Sequence, residues 1–146
     1  MKFMRNTGRV IALLLVIVMI VLMGAGSQKS TPSTLHIRDA KDLMELSEAC
    51  KYDAYSKDLT VLLDNDIDLS DTEFVPIPTF GGIFNGQGHT ISGMSLSGDG
   101  AHMGLFRYIQ AGGTVQDLTV SGTVDSAGTL TEIGAIVGTN MGTVTG

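Results

Sequence analysis

Residues 90–98 read TISGMSLSG, and residues 114–122 read TVQDLTVSG. The two blocks agree in residue type at seven of nine positions. A second shared element, a glycine followed by two apolar residues, occurs at 82–84, 104–106 and 134–136. These elements recur at intervals of 22 to 30 residues. Units of that length are too short for strand–helix–strand crossovers, which need about 30 residues or more. The repeat therefore predicts the stacked coils of a parallel β-helix, an all-β solenoid.

Alternation along the predicted strands separates an inner and an outer face of each coil. Serine and threonine fall on the outer face, and aliphatic side chains fall on the inner face. Coils stacked about 4.8 Å apart would place those aliphatic side chains over one another as ladders. The predicted inner residues are Ile91, Leu96, Leu118, Val120 and Val144.

The region 35–58 is predicted to hold a short strand at 35–37 and a capping helix at 39–51. Asp39 is a favourable N-cap residue for that helix. Leu43, Leu46 and Cys50 are spaced as one apolar stripe on it. A helix of three turns is too short to stand alone. We therefore expect it to cover the open N-terminal end of the coils, which occupy 59–146, and to shield the backbone of the first strand.

The segment 1–26 has the three-part layout of a secretory signal. Basic residues come first, an apolar run follows at 10–23, and small residues end the segment at 24–27. The segment is either a cleaved signal peptide or an uncleaved N-terminal anchor, and both predict export. An uncleaved segment is the one expected contact with a membrane. The stretch 27–34 reads as a linker.

Composition limits the classes of partner. The chain carries 9 Lys and Arg against 15 Asp and Glu, a formal net charge of −6. That acidity argues against nucleic acid as a partner. The absence of tryptophan makes aromatic stacking platforms for bases or sugars an unfavoured prediction. A single cysteine, Cys50, excludes an intrachain disulfide framework.

The densest carboxylate group comprises Asp64, Asp66, Asp68 and Asp71. The pattern is not an EF-hand loop, because leucine and valine stand where that loop requires glycine and glutamate. If Ile67 and Leu69 point inward, the Asp64, Asp66 and Asp68 carboxylates form an outward row. Such a row is typical of a solvated face, and calcium binding there stays open, although a flat row supplies few of the required oxygens.

No catalytic, metal-binding or cofactor-binding set is predicted. His36, His89 and His102 are scattered without metal-ligand spacing. His89 is interpreted as a corner histidine bonded to the backbone, beside the turn at 86–88, because no nucleophile or orienting carboxylate is placed with it. Cys50 is interpreted as a buried structural thiol.

Several elements in order resemble a known family. They are 64–69 (DNDIDL), 75–77 (VPI), 82–91 (GIFNGQGHTI), 104–106 (GLF) and 133–144 (IGAIVGTNMGTV). The first four resemble the N-terminal coils of bacterial secreted proteins that carry GLUG repeats, and the last resembles the GLUG repeat itself. The resemblance implies a right-handed, pectate-lyase-like parallel β-helix on an exported or cell-surface protein.

The GLUG motif carries no catalytic residues, so the resemblance transfers none. The sequence departs from it at Ala135-Ile136, where Gly-Leu is usual. The chain also stops within a repeat, as a fragment of a longer protein would. An open, uncharged strand over 133–146 is expected to promote self-association.

Three functions remain open. The first is an exported, non-catalytic module of a bacterial surface protein, adhesin-like, that binds host or cell-wall glycans or proteins. The second is a non-catalytic N-terminal part of a larger secreted protease. The third is a carbohydrate-active β-helix enzyme, which is disfavoured because the stretch 72–146 holds one basic residue, Arg107, with which to neutralise an acidic sugar.

Overall fold

The computed structural model describes residues 33–98, 101–126 and 132–146. One helix, α1, spans Ala40–Ala49. The strands are β1 (Ser33–Ile37), β2 (Leu59–Leu63), β3 (Ile67–Asp68), β4 (Ile83–Asn85), β5 (Thr90–Gly98), β6 (Phe106–Ile109), β7 (Thr114–Gln116), β8 (Thr119–Ser126), β9 (Val137–Asn140) and β10 (Thr143–Thr145). The predicted signal or anchor segment at 1–26 lies outside the described residues, as does the predicted linker up to residue 32.

The strands form three sheets, and the paired strands are parallel throughout. The first sheet has the order β1-β2-β4-β7-β10, the second β3-β5-β8, and the third β6-β9. Parallel bridges at Ile77 and Phe80 extend the third sheet to the preceding coil. Because the chain visits the sheets in turn and pairs each strand with its equivalent one coil later, the described residues form a parallel β-helix of about four turns. The prediction of an all-β solenoid with one short helix is confirmed.

One inward ladder runs through the whole first sheet. The strand registers place Leu35, Val61, Phe84, Val115 and Val144 in line across five strands. Val61, Phe84 and Val115 have no solvent exposure. A second ladder joins Ile67, Ile91 and Val120 in the second sheet. The predicted inner residues are confirmed: Ile91, Leu96 and Leu118 are buried, while Val120 and Val144 are half-buried against the core.

Three phenylalanines join the faces at the centre of the solenoid. The ring of Phe84 lies 5.3 Å from that of Phe106 and 6.1 Å from that of Phe80, both close to edge-on. All three side chains are fully buried. Edge-to-face contacts of this kind add to the free energy gained by burying the rings.

The register predicted from the two nine-residue blocks is wrong. Thr90 pairs with Thr119, not with Thr114, because the strand at 114–116 belongs to the first sheet and lies beside Ile83. The element at 82–84 likewise stacks on 113–115, which in turn stacks on 142–144, and it does not stack on 104–106. The predicted equivalence of 104–106 and 134–136 is confirmed by the backbone hydrogen bond from the Leu105 N–H to the Ala135 carbonyl at 3.0 Å.

The helix begins as predicted, since the Asp39 side chain accepts a hydrogen bond from the Asp42 N–H at 2.9 Å. Its apolar stripe is buried, and the Ser47 hydroxyl donates to the Val75 carbonyl at 2.8 Å. The helix therefore occupies the position that strands occupy in later coils. Its apolar face covers the end of the core. β1 is an edge strand of the described sheet, and its first two residues are exposed.

Two predicted boundaries change. β1 starts at Ser33, so the last two residues of the predicted linker pair with β2. The predicted single strand over 133–146 is two strands on different faces, β9 and β10. Within the part of the chain that the structure describes, no helix is both long and apolar enough to cross a bilayer.

Candidate functional site

The turns between the first and second sheets bring polar side chains of three successive coils together. We call this set, comprising His36, Asp64, Asp66, Gln87 and His89, the polar corner. At this corner the chain passes from a strand of the first sheet to a strand of the second sheet. The backbone N–H of Asp64 donates to the Ile37 carbonyl at 2.9 Å, and Gln87 Nε2 donates to the Leu63 carbonyl at 2.8 Å. These hydrogen bonds link successive coils, so the polar corner stabilises the stack as well as forming part of the surface.

Asp64 and His36 form one pair of the polar corner. The His36 Nδ1 atom lies 2.9 Å from Asp64 Oδ2, and the Arg38 Nε atom lies 3.7 Å from the same oxygen. The hydrogen bond with His36 is the largest cause that lowers the pKa of Asp64, and the charges of His36 and Arg38 lower it further. Asp64 is therefore an ionised, engaged acceptor at neutral pH.

Asp66 and His89 form the second pair. His89 Nδ1 lies 3.1 Å from Asp66 Oδ1, which also accepts the Thr90 backbone N–H at 2.9 Å. The Thr90 N–H is the largest cause that lowers the pKa of Asp66, followed by the bond with His89. The interpretation of the His89 side chain as bonded to the backbone is wrong, because its ring bonds to this carboxylate.

The outward row of Asp64, Asp66 and Asp68 is confirmed, but the three carboxylates engage different partners. Asp68 accepts hydrogen bonds from the Ser70 hydroxyl at 2.5 Å and the Ser70 N–H at 2.9 Å, which lower its pKa. Within the described residues, no group of three or more His, Cys, Asp or Glu side chains is arranged to hold a metal ion. The row therefore does not converge on a common point.

A partly enclosed cleft of about 260 Å³ lies elsewhere, between the far end of β5 and the start of β6. Its polar lining includes Glu73, Ser95, Ser97, His102 and Arg107. Its apolar lining includes Phe74, Val75, Pro76, Leu96 and Met103, all of which except Val75 are buried. The cleft is lined by residues from the end of β5, from segment 73–76 of the preceding coil and from 101–107.

His102 is held at the rim of the cleft by side chains of the next coil. Its backbone has φ of 64°, a left-handed conformation that is uncommon for a residue with a Cβ. The His102 Nδ1 atom lies 2.6 Å from Thr139 Oγ1 and contacts Glu132 Oε2, and the Thr139 hydroxyl donates to the same oxygen. The Thr139 bond is the largest cause that lowers the pKa of Glu132. The ring is thereby fixed through Nδ1.

The prediction that no orienting carboxylate lies with His89 is wrong, because Asp66 bonds to its ring. His36 and His102 also meet carboxylates, so the three pairs are His36–Asp64, His89–Asp66 and His102–Glu132. In each pair the two residues are separated along the sequence by about one coil of the solenoid. A search for partners one coil away would have found the pairs, whereas a search for short-range motifs cannot.

Arg107 differs from most of the other described basic residues. Arg38, Lys41 and Lys51 each form an ion pair with a carboxylate. The Arg107 guanidinium has no hydrogen bond or ion pair within the described residues, and it does not pair with Glu73 although both line the cleft. The cleft therefore contains a cation that forms no ion pair with a described carboxylate.

Cys50 is buried, as predicted. Burial raises the pKa of its thiol to about 11, although a hydrogen bond with Ser56 opposes the shift. A thiol in that state is a poor nucleophile at neutral pH.

Comparison of the chain with protein-family models, with curated proteins and with solved structures gave no match. The class of protein is therefore defined by the fold alone: a parallel β-helix with a helix at one end. The resemblance to GLUG-repeat proteins stays a prediction from the residues.

Proposed function

We propose that this chain is an exported, non-catalytic β-helix module of a bacterial surface protein, and that it binds glycans or proteins through its outer faces. The parallel stack supports this because it presents side chains of successive coils as continuous outward rows. Serine, threonine and aspartate side chains fill much of those rows. Rows of this kind suit extended, polar partners more than a small molecule.

The state of the carboxylates carries the non-catalytic part of the proposal. Hydrolysis of a glycosidic bond by the common two-carboxylate mechanism uses a carboxylic acid whose pKa is raised so that it can donate a proton. The shifted carboxylates of the described residues are Asp64, Asp66, Asp68 and Glu132, and the pKa of each is lowered. Their oxygens accept hydrogen bonds within the protein, which favours a structural role over proton donation.

Export is the part of the proposal that rests on the segment 1–26. Its basic start, apolar run and small residues favour secretion or display on the cell surface. Mass spectrometry of the protein recovered from an expressing bacterium would find either a mature N-terminus near residue 27 or an intact chain in the membrane fraction. A full-length chain confined to the cytosol would contradict the proposal.

Binding is tested with the purified full chain on a glycan array and on intact host and bacterial cells. We expect saturable binding that unlabelled protein competes away. Heat-denatured protein is the control for adhesion of exposed apolar surface. No saturable binding to any glycan, protein or cell would overturn the proposal.

A carbohydrate-active enzyme is the second candidate, and the cleft favours it because His102 is oriented there by Glu132. Incubation of the chain with acidic and neutral polysaccharides, with and without calcium, would reveal it. We expect no new reducing ends or unsaturated products. Cleavage that His102→Gln abolishes, while circular dichroism is unchanged, would establish the enzyme instead.

A further inference from the structure

We infer that the cleft binds an acidic sugar, a saccharide ring that carries a carboxylate, and that Arg107 holds the carboxylate. The inference rests on the proposed binding function and adds to it a location and a class of ligand. Three features of the cleft carry it: an unpaired cation, hydroxyl groups beside it, and an apolar wall.

The cation defines the charged part of the ligand. The guanidinium group of arginine offers planar, paired N–H donors that match the two oxygens of a carboxylate. The Arg107 guanidinium has no carboxylate partner within the described residues, although Glu73 lines the same cleft. Glu132, which contacts His102 of the lining, already accepts a hydrogen bond from Thr139. A ligand carboxylate therefore meets an available partner.

The remaining lining fits a polyhydroxylated ring. Ser95 and Ser97 line the cleft, and both residues are exposed where they alternate along β5 with the buried Met94 and Leu96. Glu73 supplies an acceptor for sugar hydroxyls. Val75, which is 50% exposed, gives the lining an apolar surface against which the C–H face of a ring can lie.

The volume limits the size of the bound group. The cleft measures about 260 Å³, slightly below the roughly 300–1,000 Å³ of typical small-molecule sites. One ring fits, and the rest of a longer chain would extend over the outer faces. The site would thus recognise a single acidic residue within a polysaccharide.

The test is a titration of the full chain with D-glucuronate and with D-glucose, followed by NMR chemical shifts. The two sugars share the ring and differ by the carboxylate. We expect glucuronate to bind at least about tenfold more tightly, because a charge-assisted pair is lost with glucose. Arg107→Gln should weaken glucuronate binding by at least about tenfold and leave glucose unchanged.

Lys57→Gln is the matched control, since Lys57 lines a different hollow of the surface. It should change the affinity for glucuronate less than about twofold, as expected of a screened, distant charge. Glu73→Gln is a second variant, and its expected effect on affinity is the opposite of that of Arg107→Gln. It removes a negative charge that repels the ligand carboxylate, so it should tighten glucuronate binding. Circular dichroism confirms that each variant is folded.

Equal affinity for the two sugars, or an unchanged affinity in Arg107→Gln, would overturn the inference. So would an absence of glucuronate binding in a chain that binds glycans or cells in the array experiment, and the proposed function would then stand. Absence of binding in the array and cell experiments overturns the proposed function itself.

Discussion

Val115 lies directly beside Phe84 in the parallel register between β7 and β4, and neither side chain is exposed. The contact joins residues of successive coils and lies at the centre of the ladder that runs through the first sheet. It also fixes the true repeat of the chain, because the glycine that precedes each of these strands stacks on its equivalent one coil later.

Phe84→Ala tests the ladder. The substitution removes a fully buried ring that contacts Phe80 and Phe106, and we expect it to lower the free energy of unfolding by about 3–5 kcal/mol. The matched control is Ile83→Ala on the same strand, whose side chain is 44% exposed and should cost about 1 kcal/mol or less. Urea denaturation measures both, and equal losses would contradict the ladder.

Gly82 tests the closeness of neighbouring coils. A Cβ built there would lie 2.2 Å from the carbonyl oxygens of both Leu59 and Ser56, so Gly82→Asn must displace backbone. We expect a loss of about 1–3 kcal/mol or a failure to fold. At Gly88 a Cβ meets nothing within 4 Å and φ is 79°, a conformation that asparagine adopts. Gly88→Asn should keep a melting temperature near that of the parent chain, and the reverse order would be contrary to the stacking.

The engaged carboxylates predict loss of stability in acid. Folding lowers the pKa values of Asp64 and Glu132 below their ordinary 3.8 and 4.5. A carboxylate with a lowered pKa contributes stability above its unfolded pKa and loses it as the pH falls through the folded pKa. We expect a constant melting temperature from neutral pH to about pH 5 and a decline below about pH 4.

Asp64→Asn should make the fall of the melting temperature in acid less steep. The difference should be a few degrees at most, because the Asp64–His36 pair is partly solvated. Asp71→Asn is the control, since the Asp71 carboxylate accepts no hydrogen bond within the described residues. The same pH profile in Asp64→Asn and in the parent chain would show that the pair with His36 contributes nothing to stability.

Cys50 should be unreactive in the folded chain. Its thiol is buried and its pKa is raised to about 11, because burial disfavours the thiolate. We expect negligible labelling by a thiol-specific disulfide reagent near neutral pH and complete labelling in denaturant. Rapid labelling of the native protein would place the thiol at the surface and contradict the packing of the α1 stripe.

The last strands predict self-association. Within the described residues, β8, β9 and β10 are the final strands of their sheets, and each has an edge without a strand partner. We expect the chain to associate in light scattering as its concentration rises. A charge at the exposed edge, as in Thr145→Lys, should reduce the association, whereas Ala54→Lys, at an exposed turn residue outside the strands, tests whether any added charge does the same. A strictly monomeric parent chain would refute the prediction.

The sequence was sufficient for elements that depend on local pattern. The Asp39 cap, the buried face of the helix and the inward residues of the strands follow from side-chain spacing alone. It was insufficient for the register, because TISGMSLSG matches both TVQDLTVSG and the strand that actually lies beside it. Both alignments of the two segments match like residue types, so the sequence pattern cannot choose between the two registers. The packing of Val115 on Phe84 in the structure distinguishes the correct one.

The candidate sites divide in the same way. Composition and spacing by themselves determined that the Asp64, Asp66 and Asp68 carboxylates face outward, that Cys50 is buried and that the chain forms stacked coils. Tertiary structure alone decided that each histidine meets a carboxylate one coil away and that Arg107 stands unpaired in a cleft of the described residues. The physical reason is that alternation along a strand fixes which face a side chain takes, whereas its neighbour in the next coil depends on the length of every turn between them.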